Sequence, residues 1–76
     1  MSIQLRKFLR LKSVLEATGL SRSQIYELEK RGNFPARISI GARAVAWDSE
    51  EIAHWQQRRI EARRSRNRQE KSNESE

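Results

Sequence analysis

The chain is 76 residues long with a net charge of +6, and 36% of its residues are hydrophobic. That is enough for one small core and one domain, near the size where a single core is marginal. The absence of cysteine excludes disulfide staples and thiolate metal sites and fits a reducing cytosol. The absence of a long apolar run excludes a membrane span and a signal-peptide core, and the basic balance favours a polyanionic partner.

In chain order, residues 1–7 are polar and basic and read as a flexible lead-in. Phe8-Leu9-Arg10-Leu11 is a short mixed run that reads as a small strand or an extended segment. Lys12 to Ala17 forms a first helix, with Leu11, Val14 and Leu15 at helical spacing on one face. Gly19 stops it. Ser21 is placed to cap a second helix and Gln24, three residues on, to complete a capping box. Leu20 and Ile25 stand at the spacing of a hydrophobic staple, and Gly32 suits the left-handed residue that ends the helix. Ile25 and Leu28 give this helix a thin apolar stripe, while Arg22, Ser23, Gln24, Tyr26, Glu27, Lys30 and Arg31 are polar. Two short helices split by a glycine-containing turn outline a helix-turn-helix.

Phe34-Pro35 then breaks the helical period. Arg37 to Ile40 and Ala44 to Trp47 alternate polar and apolar residues around Gly41-Ala42-Arg43. This predicts a hairpin with a three-residue loop, and with Ile38, Ile40, Val45 and Trp47 on one face. Asp48 is placed to cap a third helix, Glu51 to complete a second capping box, and Trp47 and Ile52 to form a second staple. The third helix presents Ile52, Trp55 and Ile60 for burial. Past Ile60 the chain loses its apolar positions, which predicts a disordered tail over 63–76, basic first and then acidic, with the third helix fraying into it. The organisation read from the sequence is thus a lead-in over 1–7, a winged helix-turn-helix over 8–62, mainly α with a small β-hairpin, and the tail.

Catalysis finds no support in these residues. The single histidine, His54, has no second ligand at i+4, where Arg58 stands. Glu50 and Glu51 are adjacent on a helix and do not face each other. No phosphate-cradling glycine loop follows a strand. The expectation is a non-enzyme without cofactor or metal.

The pattern fits double-stranded DNA instead. The second helix is sized for the major groove, with Arg22 as the candidate for bidentate guanine contact. Ser23 and Tyr26 are candidates for phosphate or mixed contacts, and Ser21, Lys30 and Arg31 are further candidate DNA contacts. Gln24 has two open readings, the capping box and an adenine contact. Glu27 is read as the helix partner of Lys30 or Arg31 rather than an acceptor from cytosine. Arg37 and Arg43 are read as flanking the hairpin tip, within reach of a minor groove or phosphate, and Lys12 as a phosphate contact. Arg58, Arg59, Arg63, Arg64, Arg66 and Arg68 form a basic run that either follows DNA non-specifically or solubilises the chain. Trp47 and Trp55 are read as packing residues, and Tyr26 as the displayed aromatic.

Arg10 to Leu15, Thr18 to Tyr26, Gly32 to Pro35, Gly41 to Trp47, and then Ile52 and Trp55, together resemble the AlpA family of phage and prophage transcriptional regulators. The family is related in fold to phage excisionases and to the DNA-binding part of MerR-type regulators. The resemblance spans about residues 8–60 and implies a winged helix-turn-helix regulator in the bacterial cytoplasm, at the nucleoid. It places the recognition helix on Ser21 to Arg31 and the wing tip on Gly41 to Arg43. Gln24 stands where the family often has a small residue, and Glu27 where a basic one is common. The arginine-rich tail lies outside the resemblance. Implied partners are DNA and an integrase or RNA polymerase. Because the third helix loses its apolar stripe near Ile60, no coiled coil is expected. A monomer that assembles cooperatively on DNA is expected instead. Alternatives carried alongside are an excisionase acting with an integrase, a protein-interaction module inhibiting a signalling protein, and a tail-only nucleic-acid chaperone.

Overall fold

Capping residues and glycines set the boundaries of the short elements. The computed structural model of the protein describes residues 3–74, with side chains through residue 64. Its elements are β1 (Phe8–Leu9), α1 (Leu11–Thr18), α2 (Arg22–Lys30), β2 (Ile38–Gly41), β3 (Ala44–Asp48) and α3 (Ser49–Glu74). α1 ends where Gly19 enters the left-handed region at φ 75°, its N–H donating to the Leu15 carbonyl at 2.8 Å. α2 begins with the complete reciprocal box. The Gln24 N–H donates to Ser21 Oγ at 3.2 Å, and the Ser21 N–H donates to Gln24 Oε1 at 2.9 Å. It ends at Gly32, with φ 77°. There the Gly32 N–H reaches the Glu29 carbonyl at 3.0 Å and the Asn33 N–H reaches the Leu28 carbonyl at 2.8 Å. Two carbonyls that the last helical turn leaves unpaired are satisfied in this way.

The three strands form one antiparallel sheet in the order β1-β3-β2, and with the three helices they build a winged helix-turn-helix. β3 is central, pairing Leu9 with Trp47 on one side and Ser39 with Val45 on the other. The wing departs from the expected alternation. Ile38 lies opposite Ala46, so it shares a face with Ala46 and not with Val45 and Trp47. Ile40 falls at an irregularity between Ser39 and Gly41 and is 42% exposed. One extra residue in a strand leaves that residue unpaired and shifts the facing of the residues beyond it. The tip is also tighter than expected, a turn at Ala42-Arg43 between the paired Gly41 and Ala44.

The core joins Val14 of α1, Ile25 of α2, Phe34 of the connection, Trp47 of β3 and Ile52 of α3. Burying each such side chain contributes about 1.5–3 kcal/mol, and Leu9, Leu11, Leu15, Leu20, Leu28, Val45 and Trp55 pack around them, half-buried. Gln56 of α3 donates to the Ala17 carbonyl at 2.9 Å and so closes the C-terminal end of α1.

Details at both ends of the fold refine the sequence reading. The lead-in is anchored at its inner end: Arg6 pairs with Asp48, and the Ser49 N–H donates to the Lys7 carbonyl at 2.8 Å. Asp48 does cap α3, accepting from the Glu50 N–H at 3.1 Å. The reciprocal bond expected from Glu51 is absent among the described residues. Ile60 is exposed rather than buried. α3 runs to Glu74, with helix continuing into the segment where packing gives out. Arginine, glutamate, glutamine and lysine supply most of residues 63–74, with no glycine or proline after Gly41, and these side chains are compatible with helix. Residues 1–2 of the lead-in and 75–76 of the tail lie outside the described residues, as do the side chains of Arg66 and Arg68.

Candidate nucleic-acid interface

α2 is bound to the core along one line and presents the opposite line outward. Ile25 is fully buried and Leu28 half-buried. Successive helical residues are rotated by about 100°, so Ser23, Tyr26 and Lys30 fall on the side away from that stripe, and Arg22, one turn before Ile25, stands at its edge. All four are exposed. Ser21 sits at the head of this face with its hydroxyl committed to the cap.

Gln24, Glu27 and Arg31 run along one flank of the outward face. The Gln24 carboxamide oxygen is held by the Ser21 N–H, and a bidentate adenine contact needs both ends of that amide. Of its two readings, the capping box is the one formed. Glu27 pairs with Arg31 rather than Lys30, through Nε at 3.2 Å and the terminal nitrogen at 3.1 Å. Arg31 therefore carries a local counter-charge into any encounter with phosphate, and Lys30 has no carboxylate partner among the described residues.

Arg37 occupies the other flank. Its N–H donates to Glu29 Oε2 at 2.7 Å, its guanidinium lies 3.9 Å from Glu29 Oε1, and the same group sits 5.2 Å from the centroid of the Tyr26 ring. The sequence pattern puts Arg37 beside the hairpin tip. In the structure it instead precedes β2, at the base of the wing, where Pro35 turns the chain back along α2. Arg43 alone holds the tip. It is exposed, as is Lys12 in the first turn of α1, and neither has a carboxylate partner among the described residues.

The candidate residues thus divide by chemistry. Lys12, Arg22, Lys30 and Arg43 have no carboxylate partner among the described residues, whereas Arg31 and Arg37 are positioned by glutamates. The bracing of Tyr26 by Arg37 and Glu29 is the feature that sequence reasoning missed. Its partners come together across the Pro35 turn, and no local spacing rule relates residues so connected. Trp47 is fully buried, and Trp55 is half-buried with its indole N–H donating to the Asn33 carbonyl at 2.9 Å. Among the described residues no group of three His, Asp or Glu side chains is placed to hold a metal ion, and no helix is long and apolar enough to cross a membrane.

Comparison with known proteins bears on this arrangement. The family model described as "Prophage CP4-57 regulatory protein (AlpA)" matches residues 7–60. That span begins just before β1 and ends at Ile60 of α3, so it encloses α2, the wing and the whole core. A protein of Enterobacteria phage P4, described as "Uncharacterized protein ORF88", is 45% identical over 58 residues. The match covers 76% of this chain and 66% of that protein.

Proposed function

Since this chain belongs to the AlpA family of prophage regulatory proteins, we propose that it is a sequence-specific double-stranded DNA-binding regulator of transcription from a phage or prophage element. The observation that carries the proposal is the outward face of α2, where exposed Arg22, Ser23, Tyr26 and Lys30 stand clear of the core. Helix insertion into the major groove brings the N-terminal residues of such a helix to the base edges. Arg22 is the guanine reader, since its planar fork matches two adjacent acceptors. Ser23, Tyr26 and Lys30 reach phosphates on either side, and Ser21 and Gln24 hold the N-terminus of α2 at the angle the groove requires. Arg37 supports Tyr26, and Arg31 adds a partly neutralised charge. Arg43 at the wing tip and Lys12 on α1 contact backbone or minor groove to either side and set the register. The protein works in the bacterial cytoplasm as a monomer that assembles on repeated sites, with an integrase or RNA polymerase as its protein partner.

The test is a binding titration of the wild type, Arg22→Ala and a chain truncated after Ile60. The duplexes are DNA from the protein's own genomic neighbourhood and a random sequence, at two salt concentrations. The expected result is a site bound about a thousandfold or more tighter than random DNA, with the preference lost in Arg22→Ala and kept by the truncation. Equal binding to both duplexes, with a salt slope that disappears with the tail, would overturn the proposal.

A further inference from the structure

A groove of about 560 Å³ lies on the side of α2 that faces α3. Its apolar lining comes from Leu20, Leu28, Phe34, Pro35, Trp55 and Ala62, contributed by the turn, α2, the connection to β2, and α3. Arg58 and Arg59 stand on the α3 rim, both exposed. Arg59 lies 6.0 Å from the centroid of the Trp55 ring, and neither arginine has a carboxylate partner among the described residues. The groove is within the range of volumes that clefts use to bind ligands.

Two features distinguish this surface from the proposed DNA interface. Its floor is apolar, and a phosphate backbone has nothing to bury there. It is also reached past Leu20 and Leu28, on the inner flank of α2, while Ser23, Tyr26 and Lys30 point away from it. DNA on the outward face of α2 leaves the groove open.

We propose that this groove is a docking site for an acidic peptide segment of another protein, carrying bulky apolar side chains. The apolar anchors fill the floor between Phe34, Trp55 and Leu28, and the acidic residues pair with Arg58 and Arg59 at the rim. Charge complementarity selects that occupant, since the groove opens beside unpaired arginines on a chain of net charge +6. An aromatic-lined pocket with arginine at its edge is also the composition from which the strongest protein contacts are built. The inference stands independently of the DNA reading, because the groove and the outward face of α2 share no proposed contact residue.

The test is selection of a random linear peptide library against the full chain, followed by fluorescence anisotropy with the enriched peptides labelled, in the absence of DNA. Enriched sequences are expected to be acidic with bulky apolar residues. Arg58→Glu combined with Arg59→Glu is expected to weaken their binding by about tenfold or more. Ala62→Arg, an exposed helical position, is expected to block it as well. It adds positive charge while filling the groove, so a binder held by charge alone would instead gain affinity. Circular dichroism checks that each variant is folded, and DNA titration of the same variants is expected to show the wild-type preference. Four results would overturn the proposal: no enrichment, binding insensitive to both variants, a loss of DNA affinity in place of peptide affinity, or self-association of the chain that Ala62→Arg abolishes.

Discussion

Asp48 joins the lead-in to the start of α3, and its ionisation makes that junction sensitive to acid. Burial pushes its carboxyl up, but the Arg6 guanidinium and the Glu50 N–H outweigh this and hold it below the ordinary 3.8. A depressed carboxylate contributes stability that is fully present above its unfolded value and is lost as pH falls through its folded value. Arg6, held above its ordinary value chiefly by its hydrogen bond to Asp48, carries its charge throughout. Arg6→Ala is therefore expected to melt below the wild type at neutral pH, with the gap closing as pH drops past 3.8. Thermal melts followed by circular dichroism across that interval check it, and a gap independent of pH would refute it. Gln24 supplies a second test. Gln24→Ala removes one half of the capping box and is expected to cost about 1 kcal/mol. Gln24→Glu keeps an oxygen for the Ser21 N–H and adds negative charge at the helix N-terminus, so its unfolding midpoint is expected to equal or exceed that of the wild type.

At the scale of elements, α2 is defined at both ends by residues within a few positions of each other, and for that reason it was legible. Ser21, Gln24, Leu20 and Gly32 announce their roles by spacing alone. Gly32 is held at φ 77° with nothing within 4 Å of an added Cβ, so Gly32→Ala meets no steric neighbour but a disfavoured backbone. Its expected cost is about 1–2 kcal/mol in denaturant unfolding, and a neutral result would show that the helix end relaxes. The wing was less legible. Alternation of Ile38, Ile40, Val45 and Trp47 predicted one shared face, but facing in a sheet depends on how the partner strand pairs. The irregularity at Ile40, where Ser39 Oγ donates to the Gly41 carbonyl at 3.3 Å, is a property of two strands together. The position of Arg37 was hidden for a similar reason, since Glu29 and Tyr26 meet it only after the Pro35 turn. The end of α3's packing was legible only in part: Trp55 packs against the core as read, but Ile60, offered for burial, is exposed.

At the scale of the whole molecule, the exposed cations stand on elements around the core rather than in one cluster. The cations of the proposed interface sit on three elements, with Lys12 on α1, Arg22 and Lys30 on α2, and Arg43 on the wing. Each phosphate contact removed is expected to lower the slope of log affinity against log salt by about 0.9. Arg43→Ala is thus expected to flatten the slope by about one such unit while preserving the preference for the specific site, whereas Arg22→Ala abolishes the preference. Titrations over a salt series distinguish the two, and loss of preference in Arg43→Ala would make the wing a reader. The two tryptophans divide along the same lines. Trp47 is fully buried among the core side chains with its indole N–H unpartnered, while Trp55 is half-open to solvent, with its indole bonded to Asn33 and its ring beneath Arg59. Their intrinsic emission therefore comes from two unlike environments within one unlabelled sample. With Trp55→Phe the remaining signal follows the opening of the core, and with Trp47→Phe it follows the α3 groove, so unfolding and surface occupancy can be observed as separate optical channels.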